Sequence, residues 1–372
     1  MAQLPSPTIA FGIETSCDET AVALVRREAD GSATILAEQV LGQVDDHAAF
    51  GGVVPEIAAR RHLDCIEELI QACLQTGLER ANQKRGDEDL GKIHFVSATT
   101  GPGLMGGLLV GSVAAQALAA TRKVPFIAVN HLEGHALSAR LTQKVAFPYV
   151  LFLASGGHTQ IVLVHDVGSY ERIGSTIDDA IGEAFDKTAK LLDLSMPGGP
   201  SVEQFARTGD AHRFDLPKPL SKDRTCDFSF AGLKTAVRLV AERHAPLSEQ
   251  DTADLCASLQ RTIADIVEEK LELALKYFAS RYALAPVLVA AGGVAANTMI
   301  RTRLAELMAH AGGTLALPPL KYCTDNAAMI AWAALEREAA GLPRHPIDVR
   351  SRWPLDSAAT PMLGSGKRGA KV

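Results

Sequence analysis

The strongest constraint on this chain is a repeated unit in which a short apolar strand runs into a glycine-bearing turn and then a helix or second strand. Residues 93–98 lead to Gly101-Pro102-Gly103, an alanine-rich helix at 105–122 and a strand at 125–129. Strand, turn, helix and strand in that order predict a right-handed βαβ crossover. A second unit opens at 149–154, with Gly156-Gly157 and a strand at 159–164. A third runs from 287–291 through Gly292-Gly293 into a helix at 297–311. At the start, strands at 8–12 and 21–26 flank the polar run Glu14-Thr15-Ser16-Cys17-Asp18-Glu19-Thr20, which reads as a hairpin tip. Two glycine-punctuated halves of hairpin and helix imply an α/β protein with two related lobes and a ligand cleft between them.

The remaining segments fill in this plan. A loop rich in Gly and Asp (42–52) leads to an amphipathic helix over about 55–75, where Ile57, Cys65, Ile66, Leu69 and Ile70 recur at helical spacing. Residues 79–92 read as an exposed loop, 178–192 as a helix of mixed charge, 196–200 as a loop, and 252–282 as one or two long helices. The tail from about 357 reads as disordered. The 372 residues are 47% hydrophobic and 22% charged, values of an ordinary globular protein long enough for two domains. The six cysteines are scattered without a C-x-x-C pair, which disfavours a zinc ribbon or redox dithiol and fits reduced, mostly buried thiols. No apolar run reaches membrane-spanning length, and the start lacks a basic segment followed by an apolar one, so a cytoplasmic protein is expected. With a net charge of −6, any nucleic acid must be met by a local basic patch or with a partner's help.

Asn130 is a good N-cap, and a helix starting there sets His131 and His135 one turn apart on one face. Two imidazoles so placed can bind one divalent metal; equally, they can be hydrogen-bonded histidines at a helix start. Glu133 does not directly follow the first histidine, as H-E-x-x-H requires, so a zinc-peptidase mechanism is poorly supported. Two histidines rarely complete a site. Asp325, ahead of an apolar helix, is the candidate third ligand, its other reading being that helix's N-cap. Ser155-Gly156-Gly157-His158-Thr159-Gln160 and Gly12-Ile13-Glu14-Thr15-Ser16 lie where backbone N–H groups can cradle a phosphate, or are plain hairpin turns. Residues 292–297 place a helix N-terminus after a strand, suited to a nucleotide with Asn297 on its base or ribose. Neither G-x-x-x-x-G-K-[ST] nor G-x-G-x-x-G occurs. The acids of 178–187 are a solvated helix face or, through Asp186, a carboxylate for a ribose or amine.

Taken in order, these motifs resemble the universal tRNA threonylcarbamoyltransferase family, long called glycoproteases. The resemblance rests on residues 12–20, 52–58, 130–135, 155–160 and 178–187. It continues through Pro197-Gly198-Gly199-Pro200, Phe228-Ser229-Phe230-Ala231-Gly232-Leu233-Lys234-Thr235, residues 292–297 and Thr324-Asp325-Asn326. It spans roughly residues 9–355, and His158 resembles the bacterial and mitochondrial branch. The resemblance implies a two-lobed actin and sugar-kinase-like fold. Residues 1–130 would form the first lobe, with a helix at about 325–345 packing back on it; 131–324 would form the second, followed by a C-terminal segment at 346–372. It implies His131, His135 and Asp325 as ligands of one divalent metal, usually iron(II), with zinc possible in purified protein. Leu153, Ala154, Ser155, Gly156 and Gly157 would hold threonylcarbamoyl-AMP, with Asp186, Gly199 and Asn297 as further nucleotide positions. Glu203 stands where many members have an aspartate on the ribose. The implied reaction carries the threonylcarbamoyl group to the exocyclic amine of adenosine 37 in tRNAs reading codons that begin with A. The implied partners are tRNA, a catalytically silent relative of the same fold and a small P-loop ATPase, with no membrane.

The residues contain no convincing Ser-His-Asp or Cys-His nucleophile, and direct attack by the amine on the already activated mixed anhydride is expected. Candidate RNA contacts are Arg60, Arg61, Lys222, Arg224, Lys234 and Arg238. Competing readings are a small-molecule kinase of the same fold, in which the histidine pair has no place, a metallopeptidase, and a non-catalytic scaffold.

Overall fold

The structure, a computed structural model, describes residues 6–48, 50, 52–83, 92–359, 362–363 and 370–371. The first half comprises β1 (Thr8–Glu14), β2 (Glu19–Arg27), β3 (Ala33–Gly42), α1 (Val44–Ala48), α2 (Pro55–Gln83), β4 (Phe95–Gly101), α3 (Met105–Arg122) and β5 (Phe126–Asn130). α4 (His131–Thr142) leads into β6 (Tyr149–Ala154), β7 (Thr159–Asp166), β8 (Ser169–Ser175), α5 (Ile181–Leu191), α6 (Gly198–Ala206), α7 (Ala231–Arg243) and α8 (Glu249–Arg281). β9 (Val287–Ala291), α9 (Thr298–His310), β10 (Thr314–Ala316) and α10 (Ala327–Ala339) follow.

Two five-stranded sheets repeat one topology, β3-β2-β1-β4-β5 and β10-β9-β6-β7-β8. In each, three antiparallel strands continue into two parallel ones added by crossovers. This duplication is the two-lobed actin and sugar-kinase-like arrangement expected above.

β1 is buried along its whole length, as a strand covered on both faces must be. Its alternation still matters. Ile9, Phe11 and Ile13 join Val22 and Leu24 in a core with Ile66 and Cys73 of α2 and Ala115 and Ala119 of α3. The opposite face is small, with Ala10, Ala21 and Ala23 packing on α10. At Gly12 a Cβ would lie 2.5 Å from the Ala327 carbonyl oxygen and 2.8 Å from the Ala331 nitrogen, so α10 can approach only because no side chain is there. In the second sheet Val150, Phe152 and Ala154 face a core shared with α5 and α8. Tyr149, Leu151 and Leu153 face Leu132, Ala136 and Ala139 of α4.

Several expectations change. α2 continues to Gln83, into the run read as an exposed loop, because Gly77 packs on Leu24 and Arg80 donates to the Leu36 carbonyl at 3.1 Å; positions 84–91 of that run lie outside the described residues. The loop at 42–52 contains α1, and α6 begins inside the loop at 196–200. β3, β8, β10 and α7 were not anticipated, and α8 is one unbroken helix. Of the tail from about 357, residues 357–359 form a turn and Met362–Leu363 pair with Ala370–Lys371; the rest lies outside the described residues.

Candidate metal centre and nucleotide loops

α4 begins where β5 ends, and Asn130 makes the junction: its side-chain oxygen accepts from Leu132 N at 2.9 Å, and its amide donates to the Trp353 carbonyl at 3.1 Å. The two histidine rings then stand one turn apart, with centroids 4.7 Å apart and planes at 89°. Asp325 reaches them from just ahead of α10. The cap of that helix is Asn326, which accepts from Met329 N at 2.9 Å. Asp325 is therefore free for the histidines, with Oδ1 3.0 Å from His135 Nε2 and 3.5 Å from His131 Nε2.

The ligand-type atoms of His131, His135 and Asp325 lie within 4.8 Å of one another. Two imidazole nitrogens and one carboxylate oxygen are a donor set for zinc or iron(II). Both histidines are buried. Burial pushes the His131 imidazole down, yet Asp325 and Glu14 outweigh it and lift the group to about 9. Burial pushes Asp325 up, but His131 and His135 hold it far below the usual carboxylate range. The cluster is short of positive charge at its centre, and a divalent cation fits it.

The expected hairpin tip is not an exposed one. Glu14 closes β1, and Glu14, Thr15, Ser16 and Thr20 are all buried. Glu14 Oε2 lies 3.0 Å from His131 Nδ1, and Ser16 Oγ lies 3.2 Å from it. The sequence reading placed both residues only in the Gly12–Ser16 turn as a candidate phosphate cradle, not beside His131. The available signal was a glutamate ending an otherwise apolar strand. Glu133 lies away from the site. Its carboxylate receives Arg337 Nη1 and the Tyr170 hydroxyl, each at 2.9 Å. Burial pushes this carboxyl up, but His345, Arg337 and Tyr170 together keep it below its ordinary value. It cannot serve as a peptidase base, which removes that reading.

The glycine loops come together in the second half. Leu153 and Ala154 end β6, Ser155 N donates to the His158 carbonyl at 2.8 Å, and a Cβ on Gly156 or Gly157 would meet open space. The start of α5 presses on this turn, since a Cβ at Gly182 would lie 2.7 Å from Gly156 Cα. Asp186 Oδ1 accepts from Gly198 N at 2.8 Å, beside the open Gly199; burial raises this carboxyl. Asn297 caps α9 through Ile300 N at 3.1 Å and donates to Gln260 Oε1 at 2.9 Å. Glu203 accepts from Thr298 N at 2.9 Å and lines an open cavity of about 420 Å³ with Arg207, Gln260, Thr298, Met299 and Arg303. A Cβ on Gly293 would sit 3.8 Å from Thr324 Cγ2, so these loops border the segment carrying Asp325.

Other acids of the motif are structural. Asp178 Oδ1 accepts from Phe230 N at 2.8 Å and Asp178 Oδ2 from Ser229 Oγ at 2.5 Å, fixing the start of α7, while Asp179 pairs with Lys187 at 2.7 Å. Of the candidate RNA contacts, Arg60 and Arg61 lie on α2, Lys234 and Arg238 on α7, and Lys222 and Arg224 in the loop preceding α7. Arg61 is already paired with Asp46 at 2.9 Å and Arg238 with Glu242 at 3.5 Å. No disulfide links the six cysteines.

Duplicated sheets with a histidine–aspartate group where the halves meet define a two-lobed protein of the actin and sugar-kinase class carrying a candidate metal site. HypF from T. kodakarensis shares this fold at a TM-score of 0.56 and 14% identity, covering 92% of this chain and 49% of that one. A second, full-length HypF structure aligns at 0.53 and 12%, covering 90% and 47%. The family described as TsaD, tRNA N6-adenosine threonylcarbamoyltransferase, matches residues 34–332. The chain is 55% identical to the tRNA N6-adenosine threonylcarbamoyltransferase of Rhizobium etli (strain CIAT 652) over 374 residues, 99% of this chain and 100% of that protein. It is 53% identical to that of Brucella anthropi, covering 97% and 99%. The chain belongs to the tRNA N6-adenosine threonylcarbamoyltransferase family.

Proposed function

We propose that this enzyme transfers the threonylcarbamoyl group of threonylcarbamoyl-AMP to the exocyclic amine of adenosine 37 in tRNAs reading codons that begin with A, releasing AMP. The reading is carried by family membership over nearly the full chain, joined to a buried His131–His135–Asp325 group beside open glycine loops. His131, His135 and Asp325 would hold one divalent metal, iron(II) in this reading, with zinc possible in purified protein. A metal held there would supply Lewis-acid polarisation of the acyl phosphate. The space left open at Gly156 and Gly157 would let a phosphate approach the backbone there, with Leu153, Ala154 and Ser155 shaping the wall. Asp186 keeps one oxygen for a ribose hydroxyl, next to Gly199. Asn297 keeps one N–H and one lone pair for the nucleoside, and Glu203 borders the adjoining cavity.

The anhydride arrives activated, so orientation and neutralisation of departing AMP are what these residues must supply. Direct attack by the amine follows, without a covalent enzyme intermediate. Mass spectrometry of enzyme quenched with the adenylate should find no threonylcarbamoylated side chain.

The two lobes in this reading are 1–130, joined by the returning helix at about 325–345, and 131–324, with 346–372 as a C-terminal segment. An acidic, aromatic-poor chain is a weak lone RNA binder, which supports help from a catalytically silent relative of the same fold and a small P-loop ATPase. No helix among the described residues is long and apolar enough to cross a membrane, in keeping with a cytoplasmic site of action.

The deciding experiment supplies threonylcarbamoyl-AMP and unmodified tRNA, with and without those partners. Threonylcarbamoyladenosine should appear. Its absence under every combination would reject the function. His131→Ala should lose the metal on anaerobic purification; unchanged metal content would reject the site.

A further inference from the structure

We propose that Glu14 is the positioning residue for His131, its buried carboxylate holding the proton on Nδ1 and turning Nε2 toward Asp325. The inference rests on the metal-site reading above and assigns a role to a residue outside the ligand set.

Glu14 is fully buried, at 0% exposure. Its Oε1 accepts from Ser16 N at 2.6 Å, and its Oε2 takes the Thr99 hydroxyl and faces His131 Nδ1 at 3.0 Å. Among the described residues no lysine or arginine pairs with it. Both Glu14 oxygens already accept, Oε1 from Ser16 N and Oε2 from the Thr99 hydroxyl, so the geometry assigns the hydrogen of the Oε2–Nδ1 contact to Nδ1. That leaves Nε2 pointing at Asp325 Oδ1, 3.5 Å away, among the three ligand-type atoms. A carboxylate behind a ligating histidine fixes its tautomer and raises its basicity.

The two histidines are not equivalent. His135 Nδ1 is buried and has no hydrogen-bond partner, so His131 alone is tied to the first sheet. Two segments distant in sequence thus converge behind this ring: the Glu14–Ser16 turn at the end of β1, which faces Nδ1 directly, and the end of β4, whose Thr99 hydroxyl donates to Glu14.

The test uses the full-length chain stripped of metal and titrated with Co²⁺, whose visible bands report the ligands. Glu14→Ala should weaken Co²⁺ binding by about 10–100-fold. Glu14→Gln, whose amide oxygen still accepts but carries no charge, should fall between it and wild type. Histidine ¹⁵N spectra recorded well above pH 9, where the His131 ring is neutral, should show His131 as the Nδ1–H tautomer in wild type and as a mixture in both variants. If Glu14→Ala does not fold, the isosteric Glu14→Gln decides. Wild-type affinity with an unchanged ¹⁵N pattern in Glu14→Gln would overturn the proposal. A tautomer change seen with Ser16→Ala and not with Glu14→Gln would overturn it too, placing the clamp on the hydroxyl. His131→Ala runs alongside: if it also keeps Co²⁺, the metal reading itself fails, whereas loss there with no effect at Glu14 rejects this proposal alone.

Discussion

His62 shows how the polar residues under the first glycine turn are held. The Gln43 amide donates to its Nδ1 at 3.2 Å, and its Nε2 faces the Cys17 carbonyl at 3.1 Å. The Thr20 hydroxyl also meets Nδ1 at 2.7 Å, and the neutral ring with hydrogen on Nε2 satisfies all three contacts, Nδ1 accepting from Gln43 and Thr20. Burial lowers the His62 value below the ordinary 6.5, against the opposing pull of the Cys17 carbonyl. A folded value below the unfolded one means that the unfolded chain binds more protons between the two. This part of the stability is therefore complete above about 6.5 and is lost as pH falls through the window below it. Urea midpoints should drop between pH 7.5 and 5.5, and His62→Gln should make that drop smaller. An equal drop in the variant would show that other groups carry it.

Among the elements, the crossing of β1 and α10 sets the position of Asp325. Gly12 touches the first turn of α10 through the Ala327 carbonyl, and Asp325 is two residues upstream of that carbonyl. A methyl group at Gly12 meets backbone, which cannot swing aside as a side chain can. Gly12→Ala should cost about 1–3 kcal/mol of stability through overpacking. It should also weaken metal binding by shifting Asp325 relative to α4. Denaturant titration measures the first effect and Co²⁺ titration the second. A variant with full stability would mean that α10 can move off the strand freely. α2 carries the complementary lesson. Its polar last turns read as loop, yet Leu78 packs on the sheet and Arg80 reaches a strand carbonyl; such contacts override weak local signals.

Across the whole molecule, Glu133 ties α4 to parts on both sides of it. Its carboxylate joins Tyr170 of β8 and Arg337 of α10, with His345 Nε2 3.7 Å away. The chain beyond α10 then crosses both sheets: Arg350 N donates to the Thr100 carbonyl at 2.7 Å, and Asp356 Oδ2 accepts from Arg172 N at 2.9 Å. Removing Arg337 leaves a buried carboxylate without its cation, a loss of about 3–5 kcal/mol. Arg337→Met should fall by that amount in chemical denaturation, and adding Glu133→Gln should recover part of it. No recovery would mean that Arg337 acts through packing alone.

The amino-acid pattern alone settled the strand–turn–helix units, the paired histidines on one helical face and, through the order of the motifs, the family resemblance. Each is a local or ordered property, written in neighbouring residues or in their succession. Which of Asp325 and Asn326 caps α10, and which is free for the histidines, was not decided locally, because both residues suit a helix start. The placement of Glu14 behind His131 spans 117 positions, and that of Glu133 against Arg337 spans 204. The first contact exists only once the first sheet has formed, and the second only once α10 has returned to it. Burial then turns ordinary polar residues of a turn into parts of the site.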